Sequence, residues 1–363
     1  FFIMEPTERG PKKKKLKRTG PSYSGDRISS LPSTGTGSGT ATNSDFVRRP
    51  RKYTVSIALP GSIVANHKTR ELQTYLCGQI ARSLAIHQVD EVIIFDDGLH
   101  SKGGDGTERK SFDANVFLAR ILQFVETPQY LRKKLFPQHS DLKYAGLLNP
   151  VDAPHHMRSH EKECDGFREG VSTDKPPGTR PGGKGTGSFV DVGLKHHVLI
   201  DRILKPNMRV TVKLDSYSKK KERRFLEGSA VPPSAPREEA GLYWGYTTRY
   251  ASDFNSIFTQ SPFEGGYDHK IGTSERGDAS IDDPSYAIPP FLHLLVVLGG
   301  LDGIEACVEE DSTLKLSASE AGSLFDVWLN TCPNQGSRTI RTEEAVTITL
   351  ARLGPLIARS GSK

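Results

Sequence analysis

Apolar residues show no period from Phe1 to about Pro50, a segment rich in Gly, Ser, Thr, Pro and Lys. Such a segment cannot bury enough surface to order itself, so a disordered tail is expected. The pattern changes at Tyr53, where Val55, Ile57 and Leu59 alternate up to Pro60-Gly61 and predict a first strand. From Thr69 to His87 the spacing of Leu72, Tyr75, Leu76, Ile80 and Leu84 predicts a helix. Glu91 to Phe95 is an apolar, β-branched run closed by Asp96-Asp97-Gly98, and it completes a β-α-β unit that favours a parallel sheet. The Asp-Asp-Gly reads as turn chemistry rather than as a pair of catalytic carboxylates. Leu99 to Arg109 is a polar, Gly-rich insertion, expected to be mobile. Val116, Phe117, Leu118, Ile121, Leu122 and Val125 then mark a further helix, and Pro128 opens a short one through Leu135.

Between about Glu169 and Glu239 the long helical periods disappear. A Gly/Lys/Arg/Pro run, Thr179 to Gly187, precedes short β-like segments at Ser188–Val192, His197–Ile200 and Met208–Leu214, and the basic cluster Lys219 to Arg224 follows. Short strands with turn punctuation predict a small barrel, and a basic small barrel suits single-stranded nucleic acid. The competing reading is an irregular insertion whose lysines are only solvated. The sheet is expected to resume at Gly241-Leu-Tyr-Trp-Gly-Tyr246, so the insert divides a single domain. The expected organisation is a basic tail over 1–50, a first part of an α/β domain over 51–168, the insert over 169–239 and the rest of the α/β domain over 240–358.

Three loops in the last part carry candidate chemistry, separated by the apolar runs Phe254–Phe258, Phe291–Leu298 and Phe325–Leu329. They are Gly272 to Gly277, Gly299 to Gly303, and the stretch after Leu329 that enters an amphipathic helix at Thr342. Thr342 is expected to be the N-cap, with Glu343 and Glu344 favoured by the helix dipole in the first turn. Gly299, Gly300 and Gly303 allow a ligand to approach the backbone closely and expose N–H groups. The pattern is not G-x-G-x-x-G, and no acidic residue on a second strand offers itself to a ribose, so a dinucleotide oxidoreductase lacks its fingerprint.

Length and composition refine this reading. The chain has 363 residues, 35% of them hydrophobic, which is enough to bury a core. Its formal charge is +6 and its pI about 9.0, which suit a polyanionic partner, although much of the excess lies in the tail, where Lys12 to Arg18 form a compact basic cluster. Such a cluster serves as a nuclear import signal or a non-specific RNA contact, and points to the nucleus and its nucleolus. Cys77, Cys164, Cys307 and Cys332 are far apart with no C-x-x-C, so neither a disulfide framework nor a zinc site is expected. Adjacent His155 and His156 seldom present both rings to one ion, so polar packing or RNA contact is expected there, and no metal. No apolar run reaches the roughly 20 residues a membrane span needs.

The three loops in this order resemble the SPOUT superfamily of S-adenosylmethionine-dependent RNA methyltransferases, in its eukaryotic and archaeal branch with an OB-like insert. The likeness extends to Lys52–Gly61, Ala145–Pro150 with Asp152 to Arg158, and Gly241–Tyr246, and covers most of the chain from about 51 to 354. It implies an α/β parallel sheet with a C-terminal trefoil knot, an exception to unknotted chains. It also implies a bent S-adenosyl-L-methionine in a cleft of the three loops. The implied cofactor residues are Gly272, Thr273, Ser274, Gly299, Gly300, Gly303, Asn330, Thr331, Cys332, Gly336, Ser337, Thr339 and Ile340.

Arg276, Arg338 and Arg341 are the cations expected near the reaction, to hold RNA phosphate, orient the base or stabilise a uridine anion. Glu275 is the carboxylate best placed to act as a base. By analogy with related enzymes the target is a base nitrogen such as uridine N3 in ribosomal RNA, and the protein is a homodimer. The rival reading is a non-catalytic RNA-binding scaffold that keeps the fold.

Overall fold

The structure is a computed structural model that describes residues 49–98, 112–157, 166–180, 182, 185–215 and 225–361. The basic cluster at Lys12, the insertion at Leu99, Arg158, Cys164 and the Lys219–Arg224 run lie outside these residues.

The first β-α-β unit forms as its periodicity predicts: β1 (Thr54–Pro60), α1 (Arg70–Ile86) and β2 (Glu91–Phe95), followed by α2 (Ala114–Glu126) and α3 (Gln129–Leu135). Next come the short strands β3 (Phe167–Ser172), β4 (Gly178–Thr179), β5 (Thr186–Gly187), β6 (Phe189–Asp191), β7 (Val198–Leu199), β8 (Arg209–Leu214) and β9 (Leu226–Val231). The remainder contributes α4 (Ala235–Ala240), β10 (Thr247–Ala251), α5 (Ser256–Thr259), β11 (His269–Thr273), β12 (Ala279–Ser280), β13 (His293–Val297), α6 (Gly303–Glu310), β14 (Val327–Asn330) and α7 (Thr342–Ser360).

Strands from both ends of the chain build one sheet of 7 strands in the order β10-β2-β1-β13-β11-β14-β12. Every pairing in it is parallel. Alternation sends Val55, Ile57 and Leu59 of β1 to one face and Ala58 to the other, and β2 and β13 divide in the same way. The first face is covered by α1, α2 and α7, which bury Leu76, Leu118 and Leu350 there. Phe254, Ile304 and Phe325 cover the second.

Gly241–Tyr246 departs from expectation. It is a connecting segment, and the sheet resumes only at β10, on the edge. Its aromatic rings are buried as struts: Tyr243 and Tyr246 donate their hydroxyls to the carbonyls of Val89 (3.0 Å) and Leu122 (3.1 Å).

The short strands β3, β6, β7, β9 and β8 close into a barrel in that order. β7 and β9 run parallel, and the other pairs are antiparallel. Val190, Val192, Val198, Ile200 and Val212 fill it. Sequence reading located β6, β7 and β8 but not β3 or β9, whose composition (Phe-Arg-Glu-Gly-Val-Ser and Leu-Glu-Gly-Ser-Ala-Val) is too polar to stand out.

A buried ionic joint ties the barrel to α2. Arg209 of β8 donates two hydrogen bonds to Glu126 at the end of α2 (2.6 and 2.9 Å) and one to Glu169 of β3 (2.7 Å). The Trp244 indole donates to the same Glu169 (2.7 Å), as does the Thr211 hydroxyl. His155 and His156 both set Nε2 against the Glu126 carbonyl, at 2.9 and 2.6 Å, so this pair is polar packing. The other end of α2 packs on the Gly61–Asn66 turn after β1. A helix of 13 residues is about 20 Å long. The barrel therefore joins the sheet at the edge opposite to the strand C-termini.

The joint gives the fold an acid-sensitive element. Burial opposes the charge on Glu126, yet the Arg209 guanidinium and the His155 hydrogen bond outweigh it and hold the carboxyl well below its usual range. Burial, reinforced by His155, lowers His156 to about 3. Both folded values are depressed, so both contributions to stability are complete above the unfolded values, about 6.5 for His and 4.3 for Glu. Each is lost as pH falls through the folded value. Unfolding free energy in urea is expected to decline below about pH 6.5, more steeply below about 4.3, with Glu126→Gln flattening the lower limb. A profile level from neutrality to about pH 4 would contradict this.

Candidate functional site

Because the sheet is parallel, the loops leaving β1, β2, β11, β13 and β14 all emerge at one edge. β13, β11 and β14 are consecutive in it, so the three loops singled out in the sequence are neighbours. This is the edge at which open α/β sheets bind ligands.

Hydrogen bonds lock the first loop onto its neighbours. Thr273 donates its hydroxyl to the Val297 carbonyl (3.0 Å), and the Ser274 N–H donates to the Leu329 carbonyl (3.1 Å). Ser274 also donates its hydroxyl to Glu305 (3.1 Å) and accepts from the Arg276 N–H (3.1 Å). The Asn330 amide bridges two loops, donating to the Glu275 carbonyl and accepting from the Cys332 N–H, both at 2.9 Å. Thr331 exchanges a hydroxyl hydrogen bond with Thr349 (2.9 Å). The side chains of Thr273, Asn330 and Thr331 are thus engaged in holding loops together, and their backbone atoms are what they can offer a ligand.

The glycines divide similarly. A Cβ on Gly272 would overlap the Trp328 ring at 2.5 Å, and one on Gly299 would meet Gly303 C at 2.4 Å, so these two serve chain packing. Gly300 differs: its Cβ position has only ordinary contacts, with Pro60 at 3.6 Å, Ser62 Oγ at 3.7 Å and Asp97 Oδ2 at 4.0 Å. Gly300 therefore faces a cradle between the ends of β1, β2 and β13. Gly303 closes the turn at φ 81° and starts α6.

The third loop, from Thr331 to Arg341, leads into α7. Its N-cap is Arg341, one residue before the expected Thr342. The reason is tertiary: Thr342 donates its hydroxyl to the Gly299 carbonyl (3.0 Å), and Glu344 accepts from the Arg341 N–H (3.1 Å) instead. Glu343 and Glu344 occupy the first turn, as expected. Among the described residues, the backbone N–H groups of Gly336, Ser337, Arg338, Thr339 and Ile340 donate to no protein group. Gly336 has open space around its Cβ position.

Arg276, Arg338 and Arg341 are exposed on these loops, and among the described residues none of them forms an ion pair. Glu275 is exposed beside Arg276. Three groups were not recognised as site residues from the sequence: Ser62 and Asp97, beside Gly300, and Glu305, which accepts from Ser274 of the first loop. Asp97 is buried, in a turn where the Asp96 carboxylate accepts from the Gly98 N–H (3.0 Å). Glu305, on the first turn of α6, carried a faint signal as an acidic residue just after the glycine loop. Cys307 donates its thiol to the Gly303 carbonyl (3.3 Å), and burial, with Asp97 nearby, pushes its pKa up to about 12. It is a packing residue, not a nucleophile. Among the described residues no group of three His, Cys, Asp or Glu could hold a metal ion.

These features fit S-adenosylmethionine. The Gly300 position, where a Cβ would make only ordinary contacts, leaves the backbone approachable, the N–H groups from Gly336 to Ile340, unbonded among the described residues, match the acceptors of an adenine, and carboxylates at Asp97 and Glu305 match hydroxyl and ammonium donors.

Comparison with known proteins gives the family. The family model described as "Putative RNA methyltransferase" matches residues 54–353. A human protein named 28S rRNA (uridine-N(3))-methyltransferase is 50% identical over 319 residues, covering 87% of this chain and 81% of the relative. Its namesake in Mus musculus is 50% identical over 317 residues, 86% of this chain and 79% of its own. The namesake in Drosophila melanogaster is 45% identical over 316 residues, 84% of this chain and 62% of its own. With the matched region running from β1 into α7 and so enclosing every loop of the cleft, the chain belongs to this RNA methyltransferase family.

Proposed function

We propose that the chain transfers a methyl group from S-adenosylmethionine to N3 of a uridine in large-subunit ribosomal RNA. The observation that carries the reading is the convergence of three interlocked loops at the strand C-termini, with Gly300, whose Cβ position makes only ordinary contacts with Pro60, Ser62 and Asp97, among them. The names of the relatives supply the substrate class. The same proposal includes a SPOUT-type knot in the C-terminal part, an OB-like RNA-binding insert, a homodimer and residence in the nucleus. The barrel order, with the third and fifth strands parallel, supports the OB reading.

When bound, the cofactor supplies an electrophilic methyl group on a sulfonium. The protein must then align N3, exclude water and remove the N3–H proton. Gly300 and the 336–340 backbone hold and orient. Glu275 takes the N3 proton, and Arg276 and Arg338, which form no ion pair among the described residues, hold the uridine anion and the adjacent phosphate.

The test is nucleoside mass spectrometry of ribosomal RNA incubated with the protein and isotopically methyl-labelled cofactor. N3-methyluridine is expected, and label on a ribose or another base would sink the proposal. Arg276→Ala and Arg338→Ala are each expected to lower kcat by about 100-fold if they stabilise the anion. A change confined to KM would reduce them to phosphate contacts.

A further inference from the structure

We propose that a depression on the barrel, lined by Lys175, Phe189, Lys195, His196, His197 and Phe225, is a stacking site for an unpaired RNA nucleotide, a second grip on the substrate remote from the methyl-transfer cleft. This rests on the RNA-methyltransferase reading above and adds to it a site and the form of RNA it takes.

The depression measures about 390 Å³, within the range of small-ligand sites. Its two phenylalanine rings meet edge to face, with centroids 5.7 Å apart and planes at 77°. Both are half-buried, so they are held in place yet reachable. Phe189 is held from behind, since a Cβ on Gly178 would lie 2.8 Å from its ring. Fixed aromatic faces suit a base, whose π-surface stacks whatever its identity.

The rim is cationic. Lys175 and Lys195 are exposed and, among the described residues, form no ion pair, whereas nearby Lys134 is paired with Asp191 at 2.5 Å. Among the described residues no acidic side chain lines the depression. Burial and then the Lys175 charge hold the His197 imidazole below its usual pKa, against the opposing charge of Asp191. Aromatic faces ringed by unpaired cations match a polyanion with exposed bases better than an acidic peptide, which offers charge without rings.

The position in the chain agrees. Phe189 lies on β6, Lys195 to His197 connect β6 to β7, Lys175 follows β3 and Phe225 precedes β9, the face and loops by which five-stranded barrels of this order hold oligonucleotides. The joint that holds the barrel, at Glu126, is the length of α2, about 20 Å, from the end of that helix that packs beside Gly61 after β1. The nucleotide it holds is therefore not the one methylated at the same chain's cleft.

Full-length protein is titrated with fluorescein-labelled single-stranded oligouridylate by fluorescence anisotropy, with cofactor binding followed by calorimetry in parallel. Phe225→Ala is expected to weaken RNA binding by about 10-fold. Lys175→Gln with Lys195→Gln is expected to make the salt dependence shallower by about 1.4 in log–log slope. Neither should change cofactor affinity, and with ribosomal RNA Phe225→Ala should raise KM while leaving kcat at saturation unchanged. RNA binding by the parent protein that both variants retain in full would overturn this site and leave the methyltransferase reading standing. Equal affinity for a duplex of the same length, or displacement of the RNA by polyglutamate at equal concentration, would overturn the stacking proposal. No RNA binding by the parent protein would overturn the RNA reading of the cleft as well.

Discussion

A Gly300→Trp chain is expected to fold normally and bind S-adenosylmethionine at least about 100-fold more weakly, a loss of about 2.7 kcal/mol or more. The argument is steric. At Gly300 a Cβ meets nothing closer than 3.6 Å, so the backbone tolerates a side chain, but an indole extending from that point occupies the space between Pro60, Ser62 and Asp97. Its neighbour gives the control. A Cβ at Gly299 would lie 2.4 Å from backbone of Gly303, so even Gly299→Ala must deform the loop and is expected to lower the melting temperature. Calorimetric titration of cofactor, paired with thermal melts of both variants, separates blocking from unfolding. Cofactor binding by Gly300→Trp within a few-fold of the parent would place the methyl donor elsewhere.

Arg209→Ala is expected to cost about 3–5 kcal/mol of unfolding free energy, the typical result of removing one partner from a buried ionic group. Arg209 is the shared cation between Glu126 and Glu169, two carboxylates almost completely withdrawn from water. Without it both are left buried at close quarters, and burial, already the largest influence on Glu126, loses its main opponent and is countered by the weaker His155 interaction. Replacing Arg209 by Met together with Glu126→Gln and Glu169→Gln removes the charges along with the cation and is expected to recover most of the loss. Urea unfolding of the parent, the single variant and the triple variant tests this. A single-variant loss below about 1 kcal/mol would mean that water reaches the joint. Since the joint connects the barrel to α2, the single variant should also bind RNA less tightly, through a barrel less firmly held.

How much of this was legible beforehand depends on the range of the interaction that decides each element. The first β-α-β unit was readable because Val55, Ile57 and Leu59, the helical set from Leu72 to Leu84 and the run Glu91–Phe95 each carry their own period. β3 and β9 were not, because a closed barrel accepts polar residues on its strands: Arg168 donates to the Val192 carbonyl, and Glu169 accepts from Arg209 and Thr211 of β8. The aromatic segment Gly241–Tyr246 looked like a strand by composition, and became a set of struts because Tyr243, Trp244 and Tyr246 found hydrogen-bond acceptors on other elements.

The site divides along the same line. The glycine loops and the arginines stood out as local patterns, while Asp97 and Glu305, which face the cradle or its loops, did not, since nothing near them in the chain distinguishes a turn carboxylate from a site carboxylate. Thr342 looked like an N-cap because hydroxyls there usually satisfy helix N–H groups, and only the approach of Gly299, 43 residues earlier, diverted it.

By itself, then, the sequence determined the elements whose apolar period is their own, the basic character of the insert, and the three loops that are candidates for the chemistry. The tertiary structure decided which glycines serve packing and which could carry a side chain, that Asp97 stands beside Gly300 and Glu305 beside Ser274, and that the barrel joins the sheet at the edge opposite to the strand C-termini. Those outcomes depend on contacts between residues far apart in the chain, and a local pattern of polar and apolar positions does not encode which distant surface will meet it.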